Sequence, residues 1–242
     1  ASYRRLNYAA QLNYARKFGK HGVTGTGVFM RERYVTGSAW NTFREDWVFR
    51  ATYGYDNRYL LDANGAYNGS EKFGPGYRFD FFPSVALGWN ISNEKFMQSV
   101  AFINFLKLRG SWGLIGDDRA GDRWLYQSII NSGGNALMGS PPANTPYSFF
   151  AYGRFGNPDI AWENSEKRNI GVEYSIWNRK ISGSVDFFNE DRTDIINTAP
   201  LVPSYFGASL PPLNWGTVKA TGYEIELRFN HSFVNGIRIW AN

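Results

Sequence analysis

The chain has 242 residues and a formal net charge of +5, room for one large β domain or two ordinary ones. Its basic residues are scattered rather than massed on one stripe, which gives no reason to expect a nucleic-acid partner. With no cysteine, disulfides, thiolate nucleophiles and thiolate metal sites are excluded.

No run of about eighteen apolar residues occurs, so no transmembrane helix is expected. Aromatic residues make up 18% of the chain. That is high for a soluble domain and suits a protein that places many amphipathic rings at a boundary. Ala1 opens and Asn242 closes in strand-like sequence, so the chain is expected to be a piece of a longer one.

Taken in order, apolar and polar residues alternate with period two, the pattern of strands with one apolar face. Leu6–Arg16 is the first such segment. A polar turn near Gly19–Gly22 leads to a Gly- and Thr-rich strand over Val23–Arg33, and Tyr34–Asp46 reads as a longer loop. Trp47–Tyr55 and Tyr59–Tyr67 flank the turn dipeptide Asp56-Asn57. Each carries aromatics at both ends of its apolar face, eight residues apart. At ~3.3 Å per residue that is about 26 Å along the strand, or roughly 20 Å of height at the tilt of outer-membrane barrels. Two readings fit: an outward band bounded by aromatic girdles, or a half-buried soluble sheet with cross-strand aromatic pairs.

A Gly-rich loop at Asn68–Tyr77 precedes Phe79–Ile91, where Pro83 predicts a bulge or local irregularity. Ser92-Asn93-Glu94 is placed to cap a helical turn over Lys95–Val100. In Leu106–Leu114, Leu106, Leu108, Trp112 and Leu114 oppose Lys107 and Arg109. Gly116–Ala161 reads as one long irregular loop, of a length that signals binding, gating or disorder. Strands then follow at Asn169–Ile176, Ile181–Asn189, Tyr223–Phe229 and Ile237–Ala241, with a Pro-rich loop at Thr198–Asn214. About ten antiparallel strands result. Connections alternate between short and long, as in outer-membrane barrels with short periplasmic turns, whereas a sandwich need not segregate its loops.

Several stretches are familiar as words: LKLRGSWGLIGD (Leu106–Asp117), FFPSVALGWNISNEKFM (Phe81–Met97), NPDIAWENSEKRNIGVEY (Asn157–Tyr174), SGSVDFFNEDRTDII (Ser182–Ile196) and GTVKATGYEIEL (Gly216–Leu227). In order and spacing the chain resembles the SusC/RagA family of TonB-dependent transporters of Bacteroidota outer membranes. The resemblance implies an all-β, antiparallel transmembrane β-barrel segment, about ten strands of a larger plugged barrel of the 22-stranded class. Residues 1–242 would then be part of a single barrel domain, with a long extracellular loop at about 116–161. It further implies a SusD-like surface lipoprotein as lid and energy from a TonB–ExbB–ExbD complex acting on an N-terminal region not in this sequence. The substrates implied are oligosaccharides or peptides. An anchoring barrel that binds partners without transport is the alternative.

No catalytic constellation presents itself, and neither an enzyme nor a cofactor or metal is expected. His21 and His231 fall in predicted turns without paired ligands. Asp117, Asp118 and Asp122 do not have EF-hand spacing and read as a solvated loop start. Arg50, Asp62, Asp80, Lys107, Arg109, Glu173, Glu224, Glu226 and Arg228 share parity with small residues. A membrane barrel must turn these into its lumen, since a cation facing lipid costs ~2–4 kcal/mol near the midplane. Trp47, Tyr55, Tyr59, Tyr67, Trp89, Trp112, Tyr174 and Tyr223 are the girdle candidates on the lipid side. Among loop aromatics, Trp124, Tyr126, Tyr147, Tyr152 and Tyr205, with Phe149, Phe150 and Phe206, are candidates for contacting ligand or partner.

Overall fold

A computed structural model describes residues 3–37, 40–119, 123–138, 145–197, 210–233 and 236–242. The strands are β1 (Tyr3–Phe18), β2 (His21–Thr36), β3 (Thr42–Tyr55), β4 (Tyr59–Ser70), β5 (Phe79–Asn90), β6 (Ile103–Asp117), β7 (Ile129–Met138), β8 (Thr145–Arg154), β9 (Glu163–Ile176), β10 (Ile181–Asn197), β11 (Leu213–Ser232) and β12 (Arg238–Ala241). Ten form one sheet in the order β1-β2-β3-β4-β5-β6-β9-β10-β11-β12, and β7 and β8 pair separately. Every pairing is antiparallel. No described helix is long and apolar enough to cross a membrane, which leaves crossing by strands open.

The strands are longer than the hydrophobic pattern suggests. Pairing between β2 and β3 continues to Tyr34↔Thr42, so most of the loop expected at Tyr34–Asp46 is ladder. Backbone hydrogen bonding does not need the alternation to continue, and polar residues extend the strands beyond the apolar band. Pro83 causes no bulge: the β4–β5 register runs through Gly65↔Pro83 without a shift. The expected helical turn is two 3₁₀ turns, Ile91–Asn93 and Lys95–Met97, and neither has a side-chain cap. The residues of the Asp56-Asn57 turn adopt φ of 51° and 55°, and Asn178 and Arg179 repeat the conformation at 55° and 63°. This left-handed geometry matches the twist of paired strands in tight hairpins, and Asn and Asp tolerate it best.

The sheet forks between β5 and β6. Their pairing runs only from Asn90↔Lys107 to Ser84↔Gly113. Above that level β5 pairs on with β4 as far as Phe79, and β6 with β9 as far as Asp117. Pro83, which has no N–H to donate, sits where the ladder to β6 stops. The chain's buried apolar core, Phe73, Phe82, Leu125, Ile160 and Trp162, lies here, with Leu114, Ala66, Tyr126 and Ile196 packed against it. Trp162 meets the rings of Phe73 at 5.2 Å and Phe82 at 5.5 Å. The Phe82 ring occupies the space a Cβ on Gly116 would need, so glycine at 116 lets the wedge close.

The long segment after β6 is not irregular throughout. Its base is pinned into the wedge by Leu125 and Ile160, and its middle forms the β7–β8 hairpin. The irregular apolar spacing of IINSGGNALM hides that hairpin from a period-two reading.

Candidate functional site

Cross-strand register sorts side chains onto two faces. On β3–β5, Trp47↔Tyr67↔Phe81, Phe49↔Gly65↔Pro83, Ala51↔Ala63↔Val85 and Tyr53↔Leu61↔Leu87 define an apolar face. It continues through Trp89↔Leu108↔Val172 and on to Val185↔Ile225. All eight girdle candidates fall on it. At its short-turn edge His21, Tyr55, Tyr59 and Trp89 form a ring ladder across four strands, with centroid spacings of 4.9, 6.4 and 6.5 Å. At the opposite edge Phe29 lies 4.5 Å from Trp47, and Tyr67 stacks at 5.2 Å on Phe79. Tyr174 leans over Gly183, and Phe187 meets Tyr223 at 6.4 Å.

The polar atoms of the rim rings turn away from the band. The Trp47 and Trp112 indole N–H groups donate to Glu45 (3.0 Å) and Glu166 (2.6 Å) at the long-loop edge. At the other edge Trp89 (3.1 Å) and the Tyr59 hydroxyl (2.9 Å) donate to one oxygen of Glu94. These bonds hold the Glu94 carboxyl below its ordinary pKa, the Trp89 bond contributing most. Between these levels no charged residue falls on the apolar face of β3, β4 or β5. Rings with an apolar body toward a band and a polar tip toward carboxylates at both edges match a membrane interface.

The other face holds all nine charged candidates, and most of them pair. Arg50 binds Asp62. Arg109 is a hub, 3.1 Å from Glu173 and 2.7 Å from Asp186, with Lys107 3.8 Å from Glu173. Glu226 pairs with Arg228 at 3.2 Å. Asp80 instead accepts from the backbone N–H of Phe81 at 2.7 Å. Glu224 stands opposite Asp186 in register. Asp186 is the hub residue that sequence reasoning passed over, although its parity with Ser182 and Ser184 carried the signal.

Nearer the long loops, a concavity of about 410 Å³ on this face is lined by Arg44, Asp117, Glu163, Glu190 and Arg192, among others. Arg119 lies 2.8 Å from Asp117, and Arg44 bridges Asp46 (2.9 Å) and Asp118 (3.4 Å). Asp117 and Asp118 are therefore ion-paired rather than merely solvated. Asp122 lies outside the described residues. Both histidines are in strands, not turns: His21 begins β2, its Nδ1 2.8 Å from the Tyr53 hydroxyl, and the His231 ring in β11 meets Phe233 at 4.3 Å.

Among the described loop aromatics, Trp124 and Tyr126 line one concavity with Phe43 and Phe79, while Tyr147, Phe149, Phe150 and Tyr152 lie apart on β8. Trp124 takes φ 56° beneath the Arg123 guanidinium at 4.5 Å and meets Trp40 edge-on. Tyr126 packs on the wedge. Tyr147, Phe149, Phe150 and Tyr152 lie exposed on β8, with Tyr152 stacked at 4.6 Å on Phe155. Tyr205 and Phe206 lie outside the described residues.

A two-faced wall of this kind has known counterparts. The family model described as TonB dependent receptor-like, beta-barrel matches residues 2–242. The chain belongs to this family of outer-membrane β-barrels. Among its relatives, TonB-dependent receptor P39 of Formosa agariphila is 34% identical over 178 residues, 74% of this chain and 16% of the relative. TonB-dependent receptor SusC of Bacteroides thetaiotaomicron is 31% identical over 181 residues, 74% of this chain and 18% of the relative. The matched region thus spans less than a fifth of either relative's length. In fold the chain is similar to the RagAB peptide importer in its closed-closed state, with a TM-score of 0.78, 22% identity, and coverage of 96% of this chain and 28% of that one. The siderophore receptor PirA of Acinetobacter baumannii follows at a TM-score of 0.59 and 13% identity, over 94% of this chain and 34% of its own. The SusC/RagA resemblance and the antiparallel barrel-segment expectation therefore hold.

Proposed function

We propose that this chain is wall and extracellular loop of a TonB-dependent importer of large nutrients, oligosaccharides or peptides. The apolar face meets lipid, the ion-paired face lines the lumen, and all 242 residues belong to one barrel domain. A SusD-like lipoprotein closes the barrel from outside, and TonB–ExbB–ExbD supplies energy through a region beyond this sequence. A relative named SusC and the fold likeness to the RagAB peptide importer support this reading. The single observation that carries it is the opposed pair of rims, Trp47 and Trp112 reaching Glu45 and Glu166, Tyr59 and Trp89 reaching Glu94. Such rims suit an apolar band between two aqueous layers, one face of which must shelter the ion pairs. The nine charged residues act there as wall structure and plug contacts, since most are already paired, and the loop aromatics Tyr147 and Tyr152, exposed on β8, are the ones that meet ligand or lid.

Uptake by cells carrying the full-length protein tests this. Labelled oligosaccharide and peptide pools should enter cells with intact TonB contact and not cells whose TonB-contact segment is deleted. Equal retention of a surface partner with no TonB-dependent uptake of either pool would instead identify an anchoring barrel.

A further inference from the structure

The chain's positive charge is not evenly placed along the barrel wall. Five connections lie at the short-turn end: β1–β2, β3–β4, β5–β6, β9–β10 and β11–β12. Counting each with three flanking residues, the first holds Arg16, Lys17 and Lys20, and the second Asp56 and Arg58. The third holds Glu94 and Lys95, the fourth Arg179 and Lys180, and the fifth Arg238. Eight cations face two carboxylates there. This local excess of six exceeds the whole chain's +5, so the rest of the wall and all the long loops together stand at −1.

The pairing differs as well. Lys20 and Arg58 are held by Asp56 and Glu94. No carboxylate lies within 4.0 Å of Arg16, Lys17, Lys95, Arg179, Lys180 or Arg238 among the described residues, although Lys17 is near enough to Asp56 to help hold its carboxyl below the ordinary range. At the long-loop end Arg44, Arg119, Lys167, Arg168, Arg192 and Lys219 each lie within 4.0 Å of one, while Arg4, Arg33 and Arg78 do not. The cations of the short-turn end are interleaved with exposed rings: Phe96 (62%) beside Lys95, Trp177 (56%) before Arg179 and Lys180, and Phe102 (53%) nearby. Arg16 lies 4.5 Å over the Phe18 ring at the edge of the apolar face.

We infer that the short-turn rim is a docking surface for anionic phospholipid headgroups of the leaflet it faces. Exposed rings interleaved with cations that lack a carboxylate within 4.0 Å match a layer of acyl chains topped by phosphates. A soluble acidic partner would use the cations but would have no use for the rings at the same level. This inference rests on the membrane reading proposed above. Each cation near a charged bilayer strengthens attraction about fivefold at low salt, and salt screens it.

The test uses the full-length protein, purified from vesicles of phosphatidylcholine alone or with phosphatidylglycerol as the minor component. Native mass spectrometry then reads the ratio of the two lipids retained. The parent should retain phosphatidylglycerol well above its bulk proportion, less so at high salt. The variant Lys17→Gln/Lys95→Gln/Arg179→Gln/Lys180→Gln should retain it near that proportion, whereas Arg33→Gln/Lys219→Gln at the other end should match the parent. Equal retention by parent and quadruple variant, or equal loss in the double variant, would overturn the inference. Ser92→Cys, labelled with an impermeant maleimide and compared with the parent, checks orientation separately. Labelling in intact cells would sink the membrane orientation itself, whatever the lipid ratio.

Discussion

The assignment of lipid and lumen to the two faces can be measured at a single row of the sheet. Leu108, Val172, Val185 and Ile225 stand side by side on the apolar face. Ile225 is 64% exposed in the isolated chain and lies two residues from Tyr223 and four from Phe229. Those intervals are about 7 and 13 Å along the strand, so Ile225 is inside the band yet close to one rim. Ile225→Arg should then cost ~2–4 kcal/mol in a bilayer, toward the lower end because the long side chain can reach the nearer interface. If the face met water, replacing an exposed isoleucine by arginine would change stability by no more than about 0.5 kcal/mol. Ser184→Arg is the companion: it lies between Glu173 and Glu226 on the opposite face, where a cation finds two carboxylates and should cost less than about 0.5 kcal/mol. Urea unfolding of the full-length barrel in liposomes supplies both numbers. A near-neutral Ile225→Arg, or a Ser184→Arg as costly as it, would refute the face assignment.

Three further outcomes follow from packing and charge. Trp162→Ala empties the wedge of its largest side chain, which is 2% exposed, and should cost about 3–5 kcal/mol locally. Limited proteolysis should then cut between Asp118 and Trp162 while the heat-modifiable barrel band persists; unchanged cleavage would show that the wedge does not hold the loop. Arg109→Ala leaves Asp186 without its cation and should destabilise by about 1–3 kcal/mol. A double-mutant cycle with Asp186→Ala that shows no coupling would remove Arg109 from its hub role. Finally, the depressed Glu94 pKa, set first by the Trp89 bond and then by Tyr59, means that the folded state binds that proton less readily than the unfolded one. Its stabilisation is present above the ordinary carboxylate pKa and is lost as pH falls through the lower folded value. Glu94→Gln should flatten that acidic limb of the stability curve, and identical limbs in parent and variant would contradict it.

The strand wall was legible in the sequence because alternation is a local property. A residue's face follows from its parity within a strand, so Trp47 with Tyr55, and Lys107 with Arg109, sort correctly before any partner is known. Turn chemistry at Asp56-Asn57 and the contrast between short and long connections are equally local. The family words added the identity of the barrel that strands of this kind build.

Other features rest on residues far apart in the chain. Trp162 meets Phe73 and Phe82, 89 and 80 positions earlier, only because β9 follows β6 in the sheet while the hairpin loops out between them. No period along the chain encodes that meeting, so the fork between β5 and β6, the wedge that fills it and the role of Gly116 emerge only in three dimensions. The same holds for the Arg109 hub, whose two carboxylates come from β9 and β10. It holds again for the gathering of scattered cations at one end, where antiparallel order brings five distant turns to one level. Sequence determined which way each side chain points; tertiary structure decided which of them meet.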